Sequence, residues 1–204
     1  MRANREKALF SHIFKKAREW GYTAAQNPCQ GVRGFKESGR SRYVTHDEFA
    51  QVKAHAHATV IDAMDLALLT GQRPADVLKF KRTDIRDGAL HLVQNKTGAR
   101  LAIEITGELA AVIARINDRP RTAISAFLIQ AANGQPLTQT ALRSRVDKAR
   151  ELAKVSFQFR DIRAKAATDT GDLGHSQKLL AHKNREMTKH DVKSRLGERV
   201  KPLR

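Results

Sequence analysis

Sulfur and aromatic side chains are scarce in this sequence of 204 residues. Its one cysteine, Cys29, excludes an internal disulfide and points to a reducing compartment. With no polar partner near it in the sequence, Cys29 reads as a packed thiol rather than a nucleophile. Aromatic residues make up only 5%, and the two tyrosines, Tyr22 and Tyr43, both lie early in the chain. No apolar run is long enough to span a bilayer, which excludes a helical membrane protein. The opening "MRANREKALF" is charged throughout and lacks the apolar stretch of a secretory signal, so a soluble intracellular protein is expected. Acidic residues are also in short supply. Thirty-eight Lys and Arg against 21 Asp and Glu leave a net charge of +17. Solubility rarely calls for so one-sided a surface, and such a field attracts polyanions, nucleic acid foremost.

The chain is long enough for one sizeable core with a short appended segment. "NREKALFSHIFKKAREWG" sets Leu9, Ile13, Phe14, Ala17 and Trp20 on one helical face, and Gly21 ends the helix. A lone amphipathic helix needs a partner for that stripe, as if it were the last helix of a larger domain. "NPCQGVRGFKESGRSR" then reads as a basic linker that either tracks phosphates or is simply solvated. Thr45 and Glu48 have capping-box spacing at the head of a helix running to about His57, and "VIDAMDLALLTG" gives the next. "RPADVLKF" offers a proline suited to a short helix's first turn. After Asp84 the period changes to two: "ALHLV", a turn at Asn95 to Gly98, and "RLAIEIT" form a hairpin. A helix at about Gly107 to Asn117 follows, then a short apolar strand "AFLIQ", then a helix capped by Thr138 and ending near Ala153. From Phe159 helices succeed one another, broken at Gly171 and near Asn184. The expected fold is mainly α with a small antiparallel β-sheet. The expected organisation is residues 1–26 as the end of a truncated domain, 27–44 as linker, and 45–204 as the main domain.

Four stretches carry candidate chemistry, and each is weak alone. "TGQRPADVL" places Arg73 between two helices, where a surface ion pair is the ordinary role. "QNKTGAR" places Lys96 at a hairpin tip, usually just solvated. "FRDIRAKAA" places Arg160 and Arg163 three apart on one helical side, free to pair with Asp161 or Asp169. "LLAH" ends an apolar helix in His182, which in isolation is a packed histidine.

Together, and in this order, the four resemble the active-site boxes of the tyrosine recombinases, in particular phage-type integrases. Those carry a TGxR box, a lysine on a β-hairpin, an HxxR box, an LGH box and a tyrosine nine residues after its histidine. The resemblance runs from about Thr45 to the C-terminus. It implies the catalytic-domain fold of that family, preceded by the last helix of its core-binding domain. It also implies metal-free, cofactor-free strand transfer: a tyrosine oxygen attacks a phosphate of double-stranded DNA, leaving a 3′-phosphotyrosyl link. Without a metal, positive charge for the transition state falls to the protein, and guanidiniums suit phosphate oxygens. By resemblance Arg73 and Arg163 clamp the scissile phosphate, Lys96 protonates the leaving oxygen, and His182 donates to a phosphate oxygen. Arg40, Arg42, Lys96, Arg100, Arg143 and Arg145 are expected DNA contacts. The implied partners are attachment-site DNA and further copies of the chain in a tetramer on it, with a monomer as the DNA-free alternative. The implied setting is a bacterial cytoplasm, with a chromosomal or phage gene.

Three positions depart from the pattern. Arg160 stands where the family usually has His or Lys; it binds phosphate but cannot accept a proton near neutral pH. Ala181 replaces the glycine of the LGH box, which reads as tolerable. Nine residues after His182 comes Asp191, in "MTKHDVK", where the family has its tyrosine. Tyr22 and Tyr43 precede every box and are no substitutes. A carboxylate is shorter than a phenol, ionised at neutral pH and repelled by phosphate, so DNA binding without covalent cleavage is expected. A non-catalytic remnant or regulator from a degenerate prophage integrase is one alternative. A nuclease in which Asp191 or His182 activates water is another, disfavoured because no metal-binding carboxylate cluster is apparent. His55 and His57 sit two apart and so on different helix faces, which argues against a metal site. His175 reads as a surface residue, and His190 as a neighbour of the site. In the basic tail, Leu196, Val200 and Leu203 form an apolar stripe suited to packing, against a competing role in DNA contact.

Overall fold

The computed structural model of the chain describes residues 2–37, 42–120, 123 and 125–196, the side chains of residues 193–196 excepted. Arg40, Val200, Leu203 and the Leu196 side chain therefore lie outside the described residues. Two compact units separate at residues 40 and 41: Met1–Arg40 and Ser41–Arg204.

In the first unit, helix α1 (Arg2–Glu19) ends ahead of Gly21, whose φ of 77° lies in the left-handed region. Asn4, Lys7 and Ser11 follow one another at helical spacing and share a polar face. Residues 27–37 return along that face. Asn4 Nδ2 donates to the Phe35 carbonyl while the Phe35 N–H donates to Asn4 Oδ1, both at 2.8 Å. Asn27 Nδ2 donates to Ser11 Oγ at 2.8 Å, Lys7 Nζ donates to the Val32 carbonyl, and Cys29 Sγ lies 3.6 Å from the Lys7 carbonyl. The segment that reads as a solvated linker is thus tied to α1 through residue 37. The apolar face remains open: α1 has no buried residue, and Leu9, Phe10, Ile13 and Trp20 are all more than half exposed.

The second unit is built around α3 (Ala58–Thr70), whose Val60, Ala63, Met64, Leu66 and Ala67 are buried. Helix α2 (His46–Ala54) opens on the expected capping box, with Thr45 Oγ1 accepting from the Glu48 N–H. Two buried carboxylates on α3, Asp62 and Asp65, accept from Arg115 on α5 (Gly107–Asp118) at 3.1 and 2.8 Å. Asp65 also accepts from Lys53 of α2, so charge pairing orients both neighbours of α3. His55 caps the C-terminus of α2, and His57 caps α3 by accepting from the Thr59 N–H. These histidines therefore stand in an interhelical turn rather than on two faces of one helix.

A three-stranded antiparallel sheet runs β1 (Ile85–Arg86), β2 (Ala89–Val93), β3 (Arg100–Glu104), with Leu90 opposite Ile103 and Leu92 opposite Leu101. The hairpin expected from alternation is present, and β1 adds a short strand that the sequence did not announce. The expected strand "AFLIQ" is not one. Only isolated bridges form, Lys81 with Phe127 and Gln130 with Pro136, because the segment pairs with irregular chain at residues 80–82. Helix α4 (Pro74–Val77) starts on its proline, and Thr138 caps α6 (Gln139–Ala153) by accepting from the Ala141 N–H.

Three helices close the unit: α7 (Asp161–Asp169), α8 (Leu173–Leu180) and α9 (Arg185–Leu196). Seven of the nine residues of α7 are buried, including the cations Arg163 and Lys165. Lys165 Nζ pairs with Asp169 at 3.0 Å and lies over the Tyr43 ring. The Tyr43 hydroxyl donates to Asp169 at 2.7 Å, and burial beside that carboxylate pushes the phenol up to about 12. Helix α7 is thereby held through its C-terminal half, directly after Arg163.

Candidate functional site

Arg163 is the centre of the site. Its Nη1 donates to the Gly71 carbonyl at 2.6 Å and its Nη2 to the Leu180 carbonyl at 2.7 Å. Both carbonyls terminate helices, α3 and α8, so the guanidinium answers the negative ends of two helix dipoles. Gly71 has φ 63°, and an added Cβ would lie 3.1 to 3.2 Å from Leu179 and Leu180 side-chain atoms. Glycine is therefore required there on both counts.

Three further side chains gather at Arg163. Its Nη2 lies 3.3 Å from His182 Nε2, and His182 Nε2 lies 4.0 Å from Asp191 Oδ2. Arg73, which precedes α4, donates to Gln94 Oε1 at 3.3 Å and stands 4.0 Å from Asp76. Exposure grades outward: the His182 side chain is 6% exposed, Arg73 26% and Asp191 32%. Burial and then the neighbouring Arg73 push Arg163 down to about 10, against the pull of Asp191 and Asp76; it is still charged at neutral pH. Burial first, then Arg163, also lowers His182 below its ordinary value despite Asp191, so its ring is neutral near pH 7. Two guanidiniums and a neutral imidazole thus converge with one edge open, an arrangement able to bind a tetrahedral oxyanion.

A buried polar network that sequence reasoning missed supports this cluster. Gln94, at the end of β2, donates through Nε2 to Gln72 Oε1 at 2.7 Å and to the Leu180 carbonyl at 3.1 Å. Its Oε1 accepts from Arg73 and from the Thr97 hydroxyl. Gln72 in turn donates to the Thr70 and Leu179 carbonyls. Both glutamines are 1% exposed. Asp76 Oδ1 accepts from the Asn95 N–H at 2.8 Å, so the hairpin turn is fastened to α4 beside Arg73. Thr188, fully buried on α9, brings its hydroxyl within 3.0 Å of His182 Nδ1. The only signal for the glutamines was adjacency to boxes already noted, TGQR and QNK.

The remaining candidates stand apart from the centre. Lys96 is exposed in the hairpin turn. Arg160 precedes α7 as its N-cap residue and is exposed, so it does not share the buried side of Arg163. Arg160 and Arg143 line one hollow of about 970 Å³ together with Pro74, Arg150 and Lys154. Arg143 also pairs with Asp147 at 3.6 Å. Arg145 lines a different hollow, with Lys148 and Arg119. Arg100 lines a third, with Lys79, Lys81 and Arg86. Arg42 pairs with Glu48. His175 is exposed on α8, and His190 is exposed beside Asp191. Ala181 has φ 51° and ψ 45°, the left-handed conformation that glycine adopts freely; the replacement that reads as tolerable is strained.

A sequence model of the phage integrase family matches residues 42–195. The integrase of Escherichia phage HK022 is 31% identical over 191 residues, covering 86% of this chain and 53% of that protein. The prophage integrase IntE of Escherichia coli (strain K12) is 30% identical over 207 residues, covering 89% of this chain and 54% of that protein. The chain thus spans about half the length of the curated relatives it matches. Among solved structures, lambda integrase in a tetramer bound to a Holliday junction superposes with a TM-score of 0.84 at 24% identity, covering 96% of this chain and 60% of that one. That likeness shows a shared fold. Among the described residues, no helix is long and apolar enough to cross a membrane.

Proposed function

Because this chain belongs to the phage integrase family, a family of site-specific recombinases, we propose that it grips double-stranded DNA at one phosphate through Arg73, Arg163 and His182, and that Asp191 deprives it of covalent strand cleavage. The observation that carries this reading is the convergence of Arg163, His182 and position 191 on one centre, at 3.3 and 4.0 Å. In this reading the guanidiniums and the imidazole hold the phosphate, and Lys96, carried by the hairpin, is the residue that would protonate the leaving 5′-oxygen once Asp191→Tyr restores cleavage. Arg160 adds a phosphate contact from the helix entrance. Arg42, Arg100, Arg143 and Arg145 extend the basic footprint, as does Arg40. No metal or cofactor is assigned a step.

Asp191 stands where the attacking phenol belongs. A carboxylate there would have to approach phosphorus as an anion, and an acyl phosphate hydrolyses too readily to store the strand's bond. The chain is therefore a DNA-binding form of the recombinase catalytic domain, acting as a regulator or inactive protomer. Residues 1–26 supply the end of a core-binding domain, 27–44 the linker and 45–204 the catalytic domain. Self-association on DNA fits the tetramer seen for lambda integrase.

The test is trapping with denaturant on long duplex DNA. The chain as written is expected to bind DNA with a steep salt dependence and yield no covalent adduct. Asp191→Tyr is expected to yield one. An adduct from the parent chain, or an Asp191→Tyr protein that binds DNA yet never links to it, would overturn the assignment of position 191.

A further inference from the structure

His182 faces two different demands on its two ring nitrogens. Nε2 stands 3.3 Å from Arg163 Nη2, which can only donate, and 4.0 Å from the Asp191 carboxylate, which can only accept. A neutral ring has a single N–H and cannot satisfy both. Nδ1 faces the Thr188 hydroxyl at 3.0 Å, and that residue is fully buried. A hydroxyl both donates and accepts, and rotation about one bond changes which it does.

We propose that Thr188 is a positioning residue that lets His182 exchange tautomers, holding Nδ1–H in the free chain and Nε2–H when an anion enters the clamp. In the free chain the nearer neighbour of Nε2 is a guanidinium donor, so Nε2 keeps its lone pair and Nδ1–H donates to Thr188 Oγ1. When a phosphate oxygen lies against Arg163 and His182, Nε2 must donate. The proton then resides on Nε2, and the Thr188 hydroxyl turns to donate to Nδ1. Solvent takes the proton from Nδ1 and returns one to Nε2, the Arg163 Nη2–H turns from Nε2 to the entering anion, and the ring is neutral before and after. The bound half of this inference rests on the DNA-clamp reading above; the free half does not. Thr188 lies on α9, three residues before position 191, so the helix that carries the position of the nucleophile also carries the control of His182.

Nitrogen-15 spectra of the full chain with labelled histidine, at mildly alkaline pH, separate the tautomers directly. The parent is expected to show His182 mainly as Nδ1–H. Thr188→Val, which keeps the shape but offers neither lone pair nor proton, is expected to lose that preference and to show a substantial Nε2–H fraction even without a ligand. Thr188→Ser is expected to match the parent. A parent already in the Nε2–H form, or a Thr188→Val protein with the parent's tautomer ratio, overturns the proposal. Should Thr188→Val fail to fold, the parent titrated with duplex DNA decides: conversion to Nε2–H supports the switch, and DNA binding without conversion overturns it. Absence of DNA binding would count against the clamp reading alone, since the unliganded spectrum of the parent still tests the free half.

Discussion

Arg163 and Lys96 are both cations read onto one phosphate, yet the fold holds them in opposite ways. Arg163 is 8% exposed and spends its donors on two helix-terminal carbonyls before any ligand arrives. Lys96 is exposed in a hairpin turn, and only the turn is fastened, through Asn95 to Asp76 and through Gln94 to Gln72. One cation is part of the scaffold. The other is delivered by it. Preorganised charge avoids reorganisation on binding, but its removal damages the fold; delivered charge can be removed at little structural cost.

The largest effect expected from this contrast is on stability. Arg163→Ala leaves the buried Gly71 carbonyl without its side-chain donor and the Leu180 carbonyl with Gln94 alone, and a buried group left unpaired costs about 1–3 kcal/mol. Chemical denaturation should show a loss of about 3 kcal/mol, together with loss of DNA binding. An unchanged denaturation midpoint would remove the distinction between scaffold and delivered cation. Next comes Gln94→Leu, which breaks the link between the hairpin, Arg73 and the Leu180 carbonyl. A loss of about 2 kcal/mol is expected, with faster hydrogen exchange at the Asn95 and Gly98 amides. If exchange there is unaltered, Gln94 does not fasten the turn.

The two halves of the site differ in legibility for the same physical reason. Arg73, Lys96, Arg163 and His182 stand in short boxes whose order survives in the chain, and the structure brings three of them together. Gln94 serves Leu180, 86 residues away, and nothing local in either segment announces that contact. Thr188 differs in kind. It sits six residues after His182 and reads as an ordinary helix residue, because a buried hydroxyl has no periodicity of its own. The same limit governs the helices. The amphipathic stripe of α1 is plain in sequence, yet its large apolar side chains are exposed; α7 shows little stripe because it is buried almost all round. "AFLIQ" has strand composition, but its neighbours at residues 80–82 are irregular, so no strand forms. Strain hides as well. Ala181 looks like a minor change from glycine until its φ of 51° is known. Ala181→Gly should raise stability by about 1 kcal/mol in thermal or chemical unfolding. No gain would mean that the turn after α8 relaxes around the methyl group.

The smallest structural effect is expected at the delivered end. Lys96→Ala removes an exposed side chain that makes no hydrogen bond or ion pair among the described residues, so stability should stay within about 0.5 kcal/mol of the parent. Its effect belongs to DNA binding. If Lys96 reaches a phosphate, the logarithmic salt slope should fall by about one, and affinity should weaken uniformly across sequences. Arg163→Ala would weaken binding too, but through a damaged scaffold, so the pair of variants separates the two causes. A Lys96→Ala protein with the parent's salt slope would place the hairpin tip off the phosphate backbone.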